Sequence, residues 1–264
     1  MSNILFLHPN FPAQFKYPCI CLAKENIHDV RFICQTHYGR DIPGIQKLVI
    51  KGKGSHERTV ASSRTEHNRS LYRAKAYLDA FESIKQQGWS PDVVISHCGW
   101  GCGVYVKDIW PNCRFIAYLE WWFNPTSELQ KRFRLSPYFQ LSEGSIEKLT
   151  IRNLPSCFEM TNADNIVSPT FWQRDQLPKR LKDQCIVIPD QFDQNLFYPE
   201  PDRQSSSPVL TYGTRGMEPM RGFPEFVNIL PKLLKKWPQL RVEIAGTDTI
   251  SYGGIAPPDG SWKK

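Results

Sequence analysis

Residues 209–226 read VLTYGTRGMEPMRGFPEF, and this stretch decides the fold of the chain. Its apolar run 209–212 predicts a strand buried on both faces, because apolar residues follow one another without alternation. A glycine-rich loop, 213–222, comes next, and a helix is predicted from about residue 223. A second apolar run, 241–245, completes a β-α-β unit. The stretch therefore predicts a parallel α/β sheet.

The same alternation extends through the upstream part of the chain. Continuously apolar runs predict six more strands, at 3–7, 30–34, 92–96, 115–119, 165–168 and 185–188. Between them, residues 69–87 have apolar side chains at helical spacing and end at Gly88, a residue type that often terminates helices. The pattern predicts a doubly wound, Rossmann-like parallel sheet.

A proline- and serine-rich segment, 199–208, contains no large apolar residue and is interpreted as a linker. It divides the chain into a first domain of residues 1–200 and a second of residues 201–264. The last 18 residues, 247–264, show no helix or strand pattern. One β-α-β unit buries too little core to be stable alone, so we interpret the second domain as incomplete and the chain as truncated.

Composition excludes several classes of protein. No run of about 18 apolar residues is present, so no membrane-spanning helix is expected, and the start of the chain lacks the features of a signal peptide. The eight cysteines form no CxxC pair and no zinc-finger spacing, which favours reduced thiols in a cytoplasmic protein without a metal site. The net charge of +7 suits an anionic partner. A nucleic-acid binder is suggested by charge alone, and no basic-aromatic strip supports it.

The loop after residue 212 combines glycines with two arginines. Gly213, Gly216 and Gly222 let backbone approach a ligand, and the following helix offers free N–H groups at its start. Arg215 and Arg221 supply bidentate positive charge. These features suit a diphosphate. The alternative is a surface loop with two solvated arginines, and the spacing alone does not decide between them.

Several segments in this order resemble glycosyltransferase family 4. The resemblance covers about residues 160–246. In the nucleotide-sugar loop it consists of Arg215, Glu218 and Arg221-Gly222. Outside that loop it consists of the segments 163–174 (ADNIVSPTFWQR), 188–199 (IPDQFDQNLFYP) and 238–246 (PQLRVEIAG). Arginine replaces the family's lysine at Arg221, and Asp190-Gln191 replace its Asn-Gly pair.

The resemblance implies a GT-B fold of two Rossmann-like domains. It also implies retaining transfer of a sugar from a nucleotide-sugar donor to a glycan or lipid-linked acceptor, with no cofactor and no metal. Arg215 and Arg221 would hold the donor diphosphate. A basic enzyme acting on lipid-linked glycans could also contact the inner face of the membrane. A sugar-nucleotide epimerase and a non-catalytic remnant or partner subunit stay open as alternatives.

The segment after strand 92–96 resembles a family region whose histidine lies near the transferred sugar. His97 matches that histidine, and a hydrogen-bonded structural histidine is the alternative. Glu120 and Trp121 follow strand 115–119 and are possible acceptor-side residues, with core packing as the alternative for the aromatic ring. The glycines of 99–103 also allow a dinucleotide-binding loop, with Glu120 as its acidic residue.

The sequence departs from the family at two places. The loop 8–15 after the first strand lacks the glycine pair that many members have there. No glutamate occurs after Glu243, although family 4 enzymes have two glutamates eight residues apart that contact the donor. We therefore expect this chain alone to bind a donor weakly.

Overall fold

A computed structural model describes residues 1–51, 63–138, 145–199, 208–250 and 260–263. The chain forms two compact units: Met1–Pro125 with Gly144–Phe197, and Thr126–Glu143 with Tyr198–Lys264. The predicted boundary near residue 200 stays a prediction, but the segment Thr126–Glu143 groups with the second unit although the sequence analysis assigned it to the first domain. The predicted linker lies outside the described residues, apart from its two end positions.

The first unit is built on a seven-stranded sheet. Its strands are β1 (Asn3–Leu7), β2 (Asp29–Cys34), β3 (Ile45–Val49), β4 (Val93–His97), β5 (Arg114–Tyr118), β6 (Asn165–Ser168) and β7 (Cys185–Val187). All neighbouring pairs are parallel, and the order is β3-β2-β1-β4-β5-β6-β7. The predicted doubly wound parallel sheet is confirmed.

Helices connect most of these strands, as is usual for parallel pairs, whereas the ten residues 35–44 join β2 to β3 without a helix. They are α1 (Lys16–Glu25), α2 (Ser63–Gln86), α3 (Val106–Ile109), α5 (Ser145–Arg152), α6 (Leu154–Asn162), α7 (Phe171–Arg174) and α8 (Lys179–Lys182), with α4 (Glu128–Leu135) belonging to the second unit. The predicted helix 69–87 corresponds to α2, which begins earlier, at Ser63.

The core lies on both faces of the sheet. Phe6, Phe32 and Phe115 are almost completely inaccessible to solvent, and each contributes on the order of 1.5–3 kcal/mol through burial. On one face Tyr77 and Phe81 of α2 pack over the sheet. The continuously apolar strands are therefore explained by helices on both faces, which hold the carboxyl ends of the central strands in fixed positions.

One strand of this sheet is absent from the sequence prediction. Strand β3 reads IQKLV and lies at the edge of the sheet, where only Ile45 is buried. An edge strand is more exposed to solvent than a central strand, so polar residues interrupt its sequence. The continuous apolar run that identifies a buried strand is therefore missing here.

The second unit contains the predicted β-α-β element. It consists of β8 (Val209–Gly216), α9 (Phe223–Lys236) and β9 (Arg241–Thr247), and the two strands pair in parallel. Strand β8 continues to Gly216, so the predicted loop 213–222 is shorter than expected, and a 3-10 turn at Pro219–Arg221 precedes the helix. Helix α9 continues through Pro231.

Six of the eight cysteines are buried, and all eight are free thiols. Burial raises the pKa of both Cys19 and Cys102 to about 12. These thiols therefore stay protonated at neutral pH and pack as small apolar groups.

Candidate active site

Two histidines meet where the strand order of the sheet reverses. Strands β1 and β4 are neighbours there, and ligands of open α/β sheets bind outside the carboxyl ends of strands at such a point. His8 follows β1 and His97 ends β4, and both side chains are buried. Their ring centroids are 4.9 Å apart with the rings nearly perpendicular. The sequence analysis identified His97 and missed His8. The position of His8 directly after the first strand could have indicated that it belongs to the site.

His97 is held between two oxygen acceptors. Its Nδ1 lies 3.0 Å from the carbonyl oxygen of Cys98, and its Nε2 lies 3.1 Å from Oε2 of Glu120. A neutral ring can donate to only one of them, whereas a protonated ring can donate to both. The side chain of His97 is 6% exposed and that of Glu120 is 45% exposed, so the pair connects the buried sheet end to solvent.

Glu120 is the centre of a polar cluster. Gln14, on the turn after the first strand, donates from Nε2 to Oε2 of Glu120 at 2.8 Å. Gln173 of α7 donates to the backbone oxygen of Glu120 at 2.8 Å. Residues from three chain segments that are far apart in sequence therefore contact Glu120: His97 and Gln14 at its carboxylate and Gln173 at its backbone oxygen. The structure brings together His97 and Glu120, which the sequence analysis proposed separately.

His8 is fixed by its own loop. The backbone N–H of Asn10 donates to Nδ1 of His8 at 2.8 Å. Burial, followed by the neighbouring His97, holds the pKa of His8 well below its usual value. The same Nδ1 lies 2.9 Å from the backbone oxygen of Asn10, so the neutral ring can accept from the N–H of Asn10 or donate to its carbonyl oxygen. Ala13 of the same loop has a φ of 47°, so it adopts the left-handed conformation that glycine favours, at a place where family members often have glycine.

The glycines of 99–103 surround an internal carboxylate rather than an external ligand. Glu159 of α6 is fully buried, and its Oε2 accepts from the backbone N–H of Gly103 at 3.1 Å. The backbone N–H groups of Gly99 and Gly101 also interact with it. Since these donors already face Glu159, the dinucleotide-binding alternative does not fit this loop. Nothing in the sequence pattern connected residue 159 with it.

Aromatic side chains extend the site on the side of Glu120. Trp121 is 36% exposed and Trp172 of α7 is 48% exposed, and their ring centroids are 5.6 Å apart. Phe123 lies 6.4 Å from Trp121, and Asn153 bonds both backbone polar groups of Phe123 at 2.9 Å. Trp121 is therefore partly exposed on a fixed loop, whereas the neighbouring Trp122 packs against the core, as the core-packing alternative expects.

The predicted phosphate residues lie in the second unit. Arg215 is exposed near the end of β8, and Arg221 is exposed at the end of the 3-10 turn. The Nε of Arg221 lies 3.8 Å from Oε1 of Glu218, whose side chain is 1% exposed. The hydroxyl of Tyr212 donates to the backbone oxygen of Arg221 at 2.7 Å. The turn that presents Arg221 is thus held from two sides.

The three glycines of this loop have different structural roles. Gly222 has a φ of 73° and is the residue before α9, so it occupies a conformation that disfavours other residues. A Cβ at Gly216 would lie 2.7 Å from the backbone oxygen of Thr249. A Cβ at Gly213 would meet nothing within 4 Å. Glycine is therefore required at position 216 by the close contact with Thr249 and at position 222 by the positive φ, whereas position 213 has room for a side chain.

We expect Gly216→Ala to lower the free energy of unfolding by roughly 1–3 kcal/mol, because the new methyl group overlaps a backbone atom that cannot rotate away. Gly213→Ala, on the same strand, is the matched control and should change it by less than about 0.5 kcal/mol. Denaturant unfolding of both variants checks this. Equal stabilities would show that strand β8 and the segment of Thr249 do not pack as described.

Within the described ranges, no group of three His, Cys, Asp or Glu side chains is placed to hold a metal ion. None of the helices in those ranges is long and apolar enough to cross a membrane.

A doubly wound parallel sheet, followed along the chain by a separate β-α-β unit, is consistent with a GT-B glycosyltransferase fold. The family model described as the glycosyl transferase family 4 group matches residues 26–197, more than half of the chain. The chain belongs to this family.

Solved structures of the same fold agree with the assignment. The catalytic domain of starch synthase IV from Arabidopsis thaliana, bound to ADP and acarbose, aligns with a TM-score of 0.59 at 10% identity, over 93% of this chain and 69% of that one. Apo UGT2 from Phytolacca americana aligns with a TM-score of 0.55 at 16% identity, over 98% and 67%. A UDP-glucosyltransferase from Polygonum tinctorium capable of glucosylating indoxyl aligns with a TM-score of 0.54 at 11% identity, over 93% and 72%.

These identities establish the fold and nothing finer. The chain spans between 67% and 72% of the length of these three solved structures. Among curated proteins, none matches the chain.

Proposed function

We propose that this protein transfers a sugar from a nucleotide-sugar donor to a glycan or lipid-linked acceptor, with retention at the anomeric carbon and without a metal or other cofactor. Membership of the family supports sugar transfer in general. The observation that supports the proposal most strongly is the cluster of His8, His97 and Glu120 at the switch point of the sheet. This is where an α/β fold binds its ligand.

The proposed roles at this cluster follow from its chemistry. His97 supports the geometry of the transition state and is not a nucleophile, because its Nδ1 is held by the Cys98 carbonyl oxygen and its Nε2 faces Glu120. Glu120 is partly exposed and accepts hydrogen bonds, so it suits a sugar hydroxyl as a further donor. We assign Glu120 to the acceptor side.

In the second unit we assign the donor diphosphate to the loop after β8. Arg215 and Arg221 neutralise the charge that grows on the departing nucleoside diphosphate, which a metal ion would otherwise do. The positive end of the α9 helix dipole lies at the same turn and favours a negative charge there. Arginine at position 221 offers a planar fork to phosphate, where the family's lysine offers a point charge.

The proposal is tested by incubating the purified protein with UDP-, ADP- and GDP-sugars and a panel of oligosaccharides and lipid-linked glycans. We expect acceptor-dependent release of the nucleoside diphosphate and a product with retained anomeric configuration by NMR. An inverted product would overturn the retaining mechanism. Conversion of the donor to its epimer without any acceptor would overturn transfer altogether.

We further propose that Trp121 and Trp172 form the stacking surface for the acceptor. Their tilted rings lie 5.6 Å apart next to Glu120. An aromatic face can stack on the apolar face of a sugar ring, and the neighbouring carboxylate can accept hydrogen bonds from the sugar's hydroxyl groups. Trp121→Ala should raise the KM for the best acceptor of the panel roughly fivefold, since stacking contributes about 1 kcal/mol, and leave kcat within a factor of about two.

The matched control is Tyr72→Ala, which removes an aromatic ring that is 66% exposed on α2. It should leave the acceptor KM unchanged. Steady-state kinetics at saturating donor measure both variants. If the two KM values agree, Trp121 does not contact the acceptor.

A further inference from the structure

Glu159 is a fully buried acid that the proposed chemistry does not use. Its Oε2 accepts from the hydroxyl of Ser96 at 2.8 Å and from the backbone N–H of Gly103 at 3.1 Å. Ser96 directly precedes His97 on β4. The carboxylate therefore touches the loop of residues 98–103 at its far end and the strand on which His97 lies.

The shape of the 98–103 loop depends on this contact. A Cβ at Gly103 would lie 2.5 Å from Oε2 of Glu159 and 2.7 Å from Oγ of Ser96, so only glycine lets the backbone come this close. Gly99 and Gly101 have φ values of 91° and 84°, in the left-handed region. Positive φ at alternate residues turns successive N–H groups toward the same centre, which forms a cavity for an anion. In this protein the carboxyl group of Glu159 occupies that cavity.

The loop in turn holds the groups around His97. Cys98, its first residue, supplies the carbonyl oxygen at Nδ1 of His97. The ring of Trp100 lies 6.3 Å from the ring of His97 and 6.2 Å from that of His8. Arg73 of α2 fixes the loop from outside by donating to the backbone oxygen of Trp100 at 2.9 Å. The loop that Glu159 contacts thus supplies a hydrogen-bond partner of His97 and the aromatic ring of Trp100 beside it.

We propose that Glu159 is a positioning residue: its carboxylate holds the 98–103 loop and thereby sets the orientation of the His97 ring. Glu159 does not touch the site itself and acts through the backbone of Cys98. The importance of this orientation for sugar transfer rests on the proposed function, whereas the structural link between the two residues does not.

The test compares Glu159→Gln with Glu82→Gln, an exposed glutamate on α2 of the same unit. In ¹⁵N-labelled protein, Glu159→Gln should shift the ring resonances of His97 and speed amide hydrogen exchange at Gly103 roughly tenfold, which corresponds to about 1.4 kcal/mol. Glu82→Gln should change neither. Unchanged His97 ring resonances in a folded Glu159→Gln variant would overturn the proposal.

Ser96→Ala is the second variant, in case Glu159→Gln does not fold. It removes one of the hydrogen bonds to Glu159 and leaves the carboxylate in place. We expect a smaller shift of the same His97 resonances, and no shift would contradict the proposal. If Glu159→Gln moves His97 but no sugar transfer is ever detected, the positioning role stands and the proposed function fails. If transfer occurs while His97 is unaffected, the reverse holds.

Discussion

Replacing Arg215 and Arg221 together by alanine should slow sugar transfer at least about a hundredfold, the largest effect that we expect from any surface substitution. Loss of a single donor to a developing negative charge typically costs about 10²–10³ in rate. Arg215 is exposed at the end of β8 and Arg221 is exposed on the turn before α9, so both can reach a phosphate without unfolding the core. Steady-state assays of donor turnover check the prediction.

Arg241→Ala is the matched control for this pair. Arg241 is also exposed in the second unit and pairs with Glu243 at 2.8 Å, an interaction that contributes little at a protein surface. Its replacement should leave turnover unchanged. Because Arg221 also forms an ion pair with the buried Glu218, Arg215→Ala alone should be assayed as well. Turnover of the double variant within a factor of about three of the unmodified protein would contradict the diphosphate assignment.

Stability should depend on pH through Glu159. Burial raises the pKa of this carboxyl from 4.5 to about 7, against the opposing effect of the hydrogen bonds from Ser96 and Gly103. The folded state therefore binds the proton more tightly than the unfolded state. The resulting stabilisation is complete below pH 4.5 and is lost as the pH rises through 7. Because one pKa unit corresponds to 1.36 kcal/mol, the loss is about 3 kcal/mol.

The Glu159→Gln variant isolates this effect, since glutamine stays neutral and all other titrating groups are common to both proteins. Between pH 4.5 and pH 8, the free energy of unfolding of the unmodified protein should fall by about 3 kcal/mol relative to the variant. The neighbouring thiols of Cys98 and Cys102 do not interfere, because burial raises the pKa of each well above this range. Denaturant unfolding at several pH values measures the difference. Parallel curves for the two proteins would refute the prediction.

Much of the fold follows from local sequence patterns. The buried strands β1, β4 and β5 are continuous apolar runs, so their signal is strong and their predicted bounds differ from those observed by no more than one residue. Strand β3 was not predicted because it lies at the edge of the sheet. Leu48 and Val49 are exposed there, and polar residues separate them from Ile45. Strand β8 was predicted too short because its last four residues include two glycines, which are rare in strands.

The sequence could predict only those site residues that lie at the end of a strand or just after it. His97 and Glu120 each follow a central strand, and parallel topology then places them on one edge. The link between Glu159 and Gly103 joins residues 56 positions apart and depends on the packing of α6 against the sheet. No spacing rule indicates such a contact. The glycines at 99, 101 and 103 therefore suggested an external phosphate before the structure identified the internal carboxylate.

We propose above that this chain binds a nucleotide sugar through Arg215 and Arg221, which are both exposed. An NMR titration of isotopically labelled protein with UDP-, ADP- and GDP-glucose, following the two guanidinium groups, tests this binding. We predict that one donor shifts both guanidinium resonances along saturation curves that share a single Kd. A donor that saturates the protein while both resonances stay unchanged, or the absence of any shift at millimolar concentrations of all three, would contradict the proposal.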